Sequence, residues 1–81
     1  MKIPRNLSAN DPIKSLRIYQ YSIDRQKGSH IRLTTNFKGQ HHITIPNHTV
    51  LKIGTLSSIL SEIAIYIGKS KEEVINELFG N

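Results

Sequence analysis

The chain has 81 residues, 37% of them hydrophobic and none of them tryptophan, so residues 1–81 can form one small domain with one modest core built mostly from Ile and Leu. Eleven Lys and Arg against six Asp and Glu give a formal charge of +5 and a pI near 9.8, which favours an anionic partner: nucleic acid, an acidic protein or a lipid surface. With no cysteine there is no disulfide, zinc–thiolate site or cysteine nucleophile; no apolar signal core follows Met1-Lys2-Ile3-Pro4-Arg5, and no apolar run nears the ~18 residues of a membrane span, so a soluble cytoplasmic protein is expected.

Residues 1–9 read as a short arm whose Ile3 and Leu7 pack down. At Asn10 the helix-start signals converge: Asn10 as the cap, Asp11 in the first turn, Pro12 near the first helical position. Ile13, Leu16 and Tyr19 or Gln20 then recur at helical spacing, predicting a helix of about three turns. Tyr21 to Lys27 opens with β-prone residues and turns polar, and Gly28-Ser29 has the chemistry of a type II′ hairpin turn, because glycine accepts the positive φ of the first central position. His30 is thereby placed at the mouth of a strand.

From His30 to Thr35 the pattern alternates, with Ile31 and Leu33 on one face and His30, Arg32 and Thr34 on the other. Asn36 to Gln40 supplies a turn, and His41 to Pro46 alternates again, with Ile43 and Ile45 opposite in facing to His42 and Thr44. Pairing Leu33 with Ile43 sets Ile31 against Ile45 and Arg32 against Thr44, giving a sheet with one apolar and one cationic face. A two-residue turn places Lys27 opposite His30 and Arg25 opposite Arg32, but carried further it would put Ile23 on the polar face and Asp24 on the apolar one. A bulge near Arg25 or a longer loop resolves that conflict.

Pro46 to Gly54 reads as a connecting loop and Thr55 as the cap of a second helix, whose Leu56, Ile59, Leu60, Ile63 and Ile67 form one stripe before Gly68 stops it. Ser70-Lys71-Glu72-Glu73 is a capping box that opens a last helix with Val74, Ile75, Leu78 and Phe79. The expected fold is α+β, in the order α-β-β-β-α with a short C-terminal helix: a three-stranded antiparallel sheet with helices packed on one face. That architecture resembles double-stranded-RNA-binding domains, which alone says little about function.

The chemistry begins with His30. RNA carries its own nucleophile in the 2′-hydroxyl, so cleavage needs a base near that oxygen, charge stabilisation at the phosphorane and a proton for the leaving 5′-oxygen, and requires neither metal nor cofactor. Histidine titrates near neutrality and serves as base or acid, while Arg and Lys neutralise phosphate charge. The candidate set is His30 for proton transfer, with Lys27, Ser29, Arg32, His42 and Lys52 for RNA contact. The pattern also allows His30 to be a surface residue or an RNA contact without catalysis. His41 and His42 are adjacent, so they face opposite sides of a strand and cannot readily share a metal; His41 reads as structural. His48 is open to a loop-fixing hydrogen bond or to chemistry. Lys52 and Gly54 admit a phosphate at a helix N-terminus, or simply an exposed lysine and a turning glycine. Lys2, Arg25 and Lys38 read as solvated charge that steers an anionic partner.

Met1-Lys2-Ile3-Pro4-Arg5, Arg25-Gln26-Lys27-Gly28-Ser29-His30-Ile31-Arg32-Leu33, His42-Ile43-Thr44-Ile45-Pro46-Asn47-His48 and Leu51-Lys52-Ile53-Gly54-Thr55-Leu56 occur in that order and spacing. Together they resemble the HicA family of toxin endoribonucleases over nearly the whole chain. The resemblance implies an mRNA-cleaving toxin of a type II toxin–antitoxin pair that inhibits translation and growth, held silent by a HicB-type antitoxin covering the active site. It also implies that His30, in the family's Gly-Ser-His motif, is catalytic. One departure is visible: Gln20 stands where such proteins carry a glycine between the first helix and the aromatic that opens strand one, which leaves a longer helix or a shifted strand open. Two other classes compete with the ribonuclease: a non-catalytic RNA-binding module of the same fold, and a protein-interaction domain whose basic face meets an acidic partner.

Overall fold

A computed structural model describes residues 3–80; Met1 and Lys2, from the first motif and the steering set, lie outside them. The elements run α1 (Asn10–Ser15), a 3-10 helix (Leu16–Tyr19), β1 (Ser22–Lys27), β2 (His30–Thr35), β3 (His41–Pro46), α2 (Ile53–Ile67) and α3 (Lys71–Phe79). The sheet is antiparallel in the order β1-β2-β3. Its fold is the α+β arrangement expected from the pattern.

The first helix differs in detail. Asn10 is already helical and makes no side-chain cap. Ser8 and Asp11 close the start instead: the Asp11 carboxylate accepts the Ser8 backbone N–H at 2.9 Å, and the Asp11 N–H returns to the Ser8 carbonyl at 3.1 Å. Only the carboxylate half of a capping box is present, since the return bond runs from backbone to backbone. The last turn tightens to 3-10 geometry and ends at Gln20, which adopts the left-handed conformation (φ 64°, ψ 26°). The helix therefore ends here without a glycine, Gln20 itself adopting a conformation that glycine accepts freely.

The register of β2 with β3 is Ile31↔Ile45, Arg32↔Thr44 and Leu33↔Ile43. Period-two alternation with one buried face admits no slip, because moving by one residue would carry every isoleucine into water. Ile31, Leu33, Ile43 and Ile45 are all buried, and they share one core cluster with Leu56, Leu60, Ile63 and Ile67 of α2, Val74, Ile75 and Leu78 of α3, and Ile13 and Leu16. Ile3 and Leu7 of the arm pack on it as expected. Thr35, buried in the same layer, donates its hydroxyl to the Tyr19 carbonyl at 2.7 Å and accepts the Phe37 N–H.

The second helix begins at Ile53, two residues before Thr55, with Lys52 as its extended N-cap residue (φ −68°, ψ 140°). Gly54 therefore lies in the first helical turn and is not the turning residue of a loop. Leu51 and Leu56 flank the cap at N′ and N4, both buried, the spacing of a hydrophobic staple. Gly68 ends the helix with φ 82°, and its N–H bonds the Ala64 carbonyl at 2.9 Å. The Ser70/Glu73 capping box of α3 is complete in both directions.

Candidate active site

A tight turn joins β1 to β2. Gly28 has φ 58° while Ser29 stays out of the left-handed region, the pattern of a type II′ turn. Lys27 consequently pairs with His30 across the ladder. The turn is anchored from outside: the Asn47 N–H donates to the Ser29 carbonyl at 2.7 Å, and Pro46 lies opposite His30 at the end of β3. His30 is exposed, and its imidazole makes no hydrogen bond or ion pair with the described residues. An imidazole so placed has both ring nitrogens available to a ligand.

The face around it is set by register. On β2, His30, Arg32 and Thr34 point the same way, about 7 Å apart in steps of two; Arg25 pairs with Arg32, and His42 with Thr34. Two arginines directly opposite each other repel. The ladder shifts between Ile23 and Arg25, so Asp24 is the extra residue of a β-bulge, and Ile23 is set opposite Leu33. This settles the conflict in strand one in favour of the bulge. The bulge also turns Asp24 onto the cationic side, where its Oδ2 accepts both the Arg32 Nε–H, at 2.8 Å, and an Nη2–H. The Arg32 hydrogen bond holds the Asp24 carboxyl below its ordinary value, partial burial opposes this, and the charges of Arg32, His42 and Arg25 add to the lowering.

Lys27, Arg25, Arg32 and His42 thus share one face with His30. Arg25, read from the sequence as mere steering charge, belongs to this group, and Arg32 is already engaged by a carboxylate. Asp24 is the residue that sequence reasoning missed, because strict alternation assigns it to the wrong face. Lys52 is exposed at the start of α2 and its side chain makes no hydrogen bond or ion pair with the described residues. Ser29 contributes its carbonyl to the turn anchor.

The remaining histidines separate cleanly. His41 lies on the other face, where its Nδ1 is 2.7 Å from the Tyr21 hydroxyl, its Nε2 is 3.2 Å from Glu62, and its ring stacks on Tyr66 with centroids 4.4 Å apart. Its role is structural. At His48 the backbone fixes the loop, its N–H bonding the Pro46 carbonyl and its carbonyl accepting the Ala9 N–H, while the side chain is exposed. Among the described residues no group of three or more His, Asp or Glu side chains is arranged to hold a metal ion, and no helix is long and apolar enough to cross a membrane.

The family model described as the HicA toxin of bacterial toxin–antitoxin systems matches residues 9–65. The chain belongs to the HicA toxin family. It is therefore a toxin of the toxin–antitoxin kind, for which an antitoxin is the natural counterpart. The matched span holds α1, the whole sheet with Gly28-Ser29-His30, and nearly all of α2; α3 lies beyond it. No curated protein and no solved structure matches the chain significantly. Within this HicA toxin, the register of the sheet sets Lys27, Arg25, Arg32 and His42 on the same face as the histidine of the turn.

Proposed function

We propose that this toxin is an endoribonuclease that cleaves mRNA at the cationic face of its sheet, with His30 as the proton-transfer residue. The observation that carries the reading is His30 itself: a free imidazole, lifted to the mouth of β2 by the Gly28-Ser29 turn, with Lys27 paired across from it and Arg25, Arg32 and His42 on the same face. His30 takes the proton of the 2′-hydroxyl as that oxygen attacks the adjacent phosphorus; the P–O5′ bond breaks, leaving a 2′,3′-cyclic phosphate and a free 5′-hydroxyl once its oxygen is protonated. Negative charge builds on the non-bridging oxygens, and the neighbouring cations stabilise it there. The nucleophile belongs to the substrate, so the reaction needs no metal to generate one. Ser29, His42 and Lys52 complete the proposed RNA-contacting set with Lys27 and Arg32.

The same charge suits the counterpart. A HicB-type antitoxin that lays acidic or polar surface over this face would bury His30 and silence the toxin while neutralising part of its +5 charge. Such a protein acts in the cytoplasm, where mRNA is available.

The test is cleavage of a single-stranded RNA in excess chelator by the native toxin and by His30→Ala, with a 2′-deoxy substrate as control. Native protein is expected to cut the ribose substrate only, and His30→Ala to lose about 10²- to 10⁴-fold in rate. RNA bound equally by both proteins but cut by neither would replace the enzyme with a non-catalytic RNA-binding module.

A further inference from the structure

The Asp24 carboxylate occupies a position for which the ligand reading supplies a competing anion. It sits on a face otherwise built from cations, its Oδ2 takes the Nε–H and Nη2–H edge of Arg32, and Arg25 and His42 are close enough to act on it electrostatically. That guanidinium edge can take a phosphate bidentately. Arg32 lies two residues from His30 on the same face of β2, about 7 Å along the strand, a distance comparable to one phosphate step of an extended nucleic-acid strand.

We propose that Arg32, Arg25 and His42 form a second phosphate subsite beside His30, and that Asp24 is its built-in occupant, displaced by a backbone phosphate when RNA binds. The identity of the ligand rests on the ribonuclease reading; the subsite itself rests on the bulge. Two features make the displacement inexpensive. Asp24 and Arg32 are about one-third exposed (33% and 37% of their side-chain surfaces), so their pairing is screened by solvent and weakly held. Asp24 is also the residue of β1 without a partner in the ladder, so its carboxylate can swing away without breaking strand pairing. An internal anion of this kind keeps Arg25 and Arg32 from repelling one another in the empty protein and releases both to the substrate.

The experiment measures binding of a 2′-deoxy oligonucleotide, which cannot be cleaved, to the native toxin, Asp24→Asn, Arg32→Gln, Asp24→Asn/Arg32→Gln and the charge control Glu72→Gln, between about 50 and 200 mM salt. Asp24→Asn is expected to bind about fivefold more tightly than Glu72→Gln. Its slope of log affinity against log salt is expected to match that of Glu72→Gln, because the phosphate reaches Arg32 in both proteins, whereas loss of Arg32 should flatten the slope by about 0.7, one phosphate contact on a single strand. In the Arg32→Gln background the gain should vanish. A parallel titration with pyrophosphate, followed at the Arg32 Nε–H resonance, separates the subsite from the RNA reading. Pyrophosphate taken up at Arg32 by Asp24→Asn far better than by the native chain, with no oligonucleotide bound by any variant, upholds the subsite and removes RNA as its ligand. Asp24→Asn binding both probes no better than Glu72→Gln, or worse, overturns the proposal and makes Asp24 a group that positions Arg32 for substrate.

Discussion

Gln20 is held in the left-handed region at φ 64°, a conformation that crowds Cβ against the backbone and that glycine occupies freely. Its side chain is exposed and makes no hydrogen bond with the described residues, so nothing specific to glutamine offsets that crowding. Gln20→Gly is expected to stabilise the fold by about 1 kcal/mol, the relief of crowding exceeding the extra entropy of the unfolded chain, and to raise Tm by about 4–8 °C. Gln20→Ala keeps the β-carbon and should leave Tm nearly unchanged. Thermal unfolding of both variants checks the cause, since equal gains would point to the side chain and not to the backbone. The same scale separates what the sequence discloses from what it hides. His30 is legible because Gly28 marks the turn and the alternation from Ile31 to Leu33 fixes its facing. Asp24 is not, since the bulge inserts one residue against strict period two and nothing in Ile23-Asp24-Arg25 names the residue that is left over; only the clash between Ile23 and the polar face betrays that some residue must be.

The elements meet at a pin on the apolar side of the sheet. His41 opens β3, Tyr21 precedes β1 and Tyr66 lies on α2; the His41 ring bridges the Tyr21 hydroxyl and Glu62 while stacking on Tyr66. Burial, then the neighbouring Tyr66 and Glu62, push the Tyr21 hydroxyl's pKa upward, so it stays protonated beside Nδ1 while Nε2 faces Glu62. Tyr66 in turn donates its hydroxyl to the Gly39 carbonyl and accepts the Lys38 N–H at 2.6 Å, tying the β2–β3 loop to α2. His41→Ala strands the buried Tyr21 hydroxyl and should cost about 1–3 kcal/mol in urea denaturation. His42→Ala, one residue away on the exposed face, should stay within about 0.5 kcal/mol. A large loss for His42 and none for His41 would reverse the assignment of faces. The register of β2 and β3 is readable because the buried face specifies it, whereas the start of α2 is hidden: Thr55 has the side chain of a cap, yet the extended backbone falls at Lys52, whose side chain announces nothing. The legible signal was apolar, the Leu51/Leu56 spacing around that cap.

At the scale of the whole molecule, few carboxylates hold down an excess of positive charge, and Asp24 and Glu77 are each engaged by a cation. Glu77 on α3 accepts from Lys69 in the α2–α3 turn and from the Tyr19 hydroxyl at the end of the 3-10 helix, joining three segments of the chain. The Lys69 hydrogen bond, then the Tyr19 one, hold its pKa below the ordinary 4.5, as Arg32 holds Asp24 below 3.8. Between each lowered value and the ordinary one, the unfolded chain binds more protons than the folded chain, so stability falls as pH falls. The contribution of Glu77 is therefore whole above pH 4.5 and is lost as pH drops through its folded value. Glu77→Gln should be less stable than the native toxin at neutral pH, and the two should converge as acid protonates the native carboxylate. Urea unfolding of both proteins from neutrality down to about pH 2 measures this. A gap that stays constant across that range would mean that Glu77 stabilises by packing and not by charge; a gap that closes assigns the acid sensitivity to the link between α3, the α2–α3 turn and the end of the first helix, a region remote in sequence from His30 and outside the cationic face.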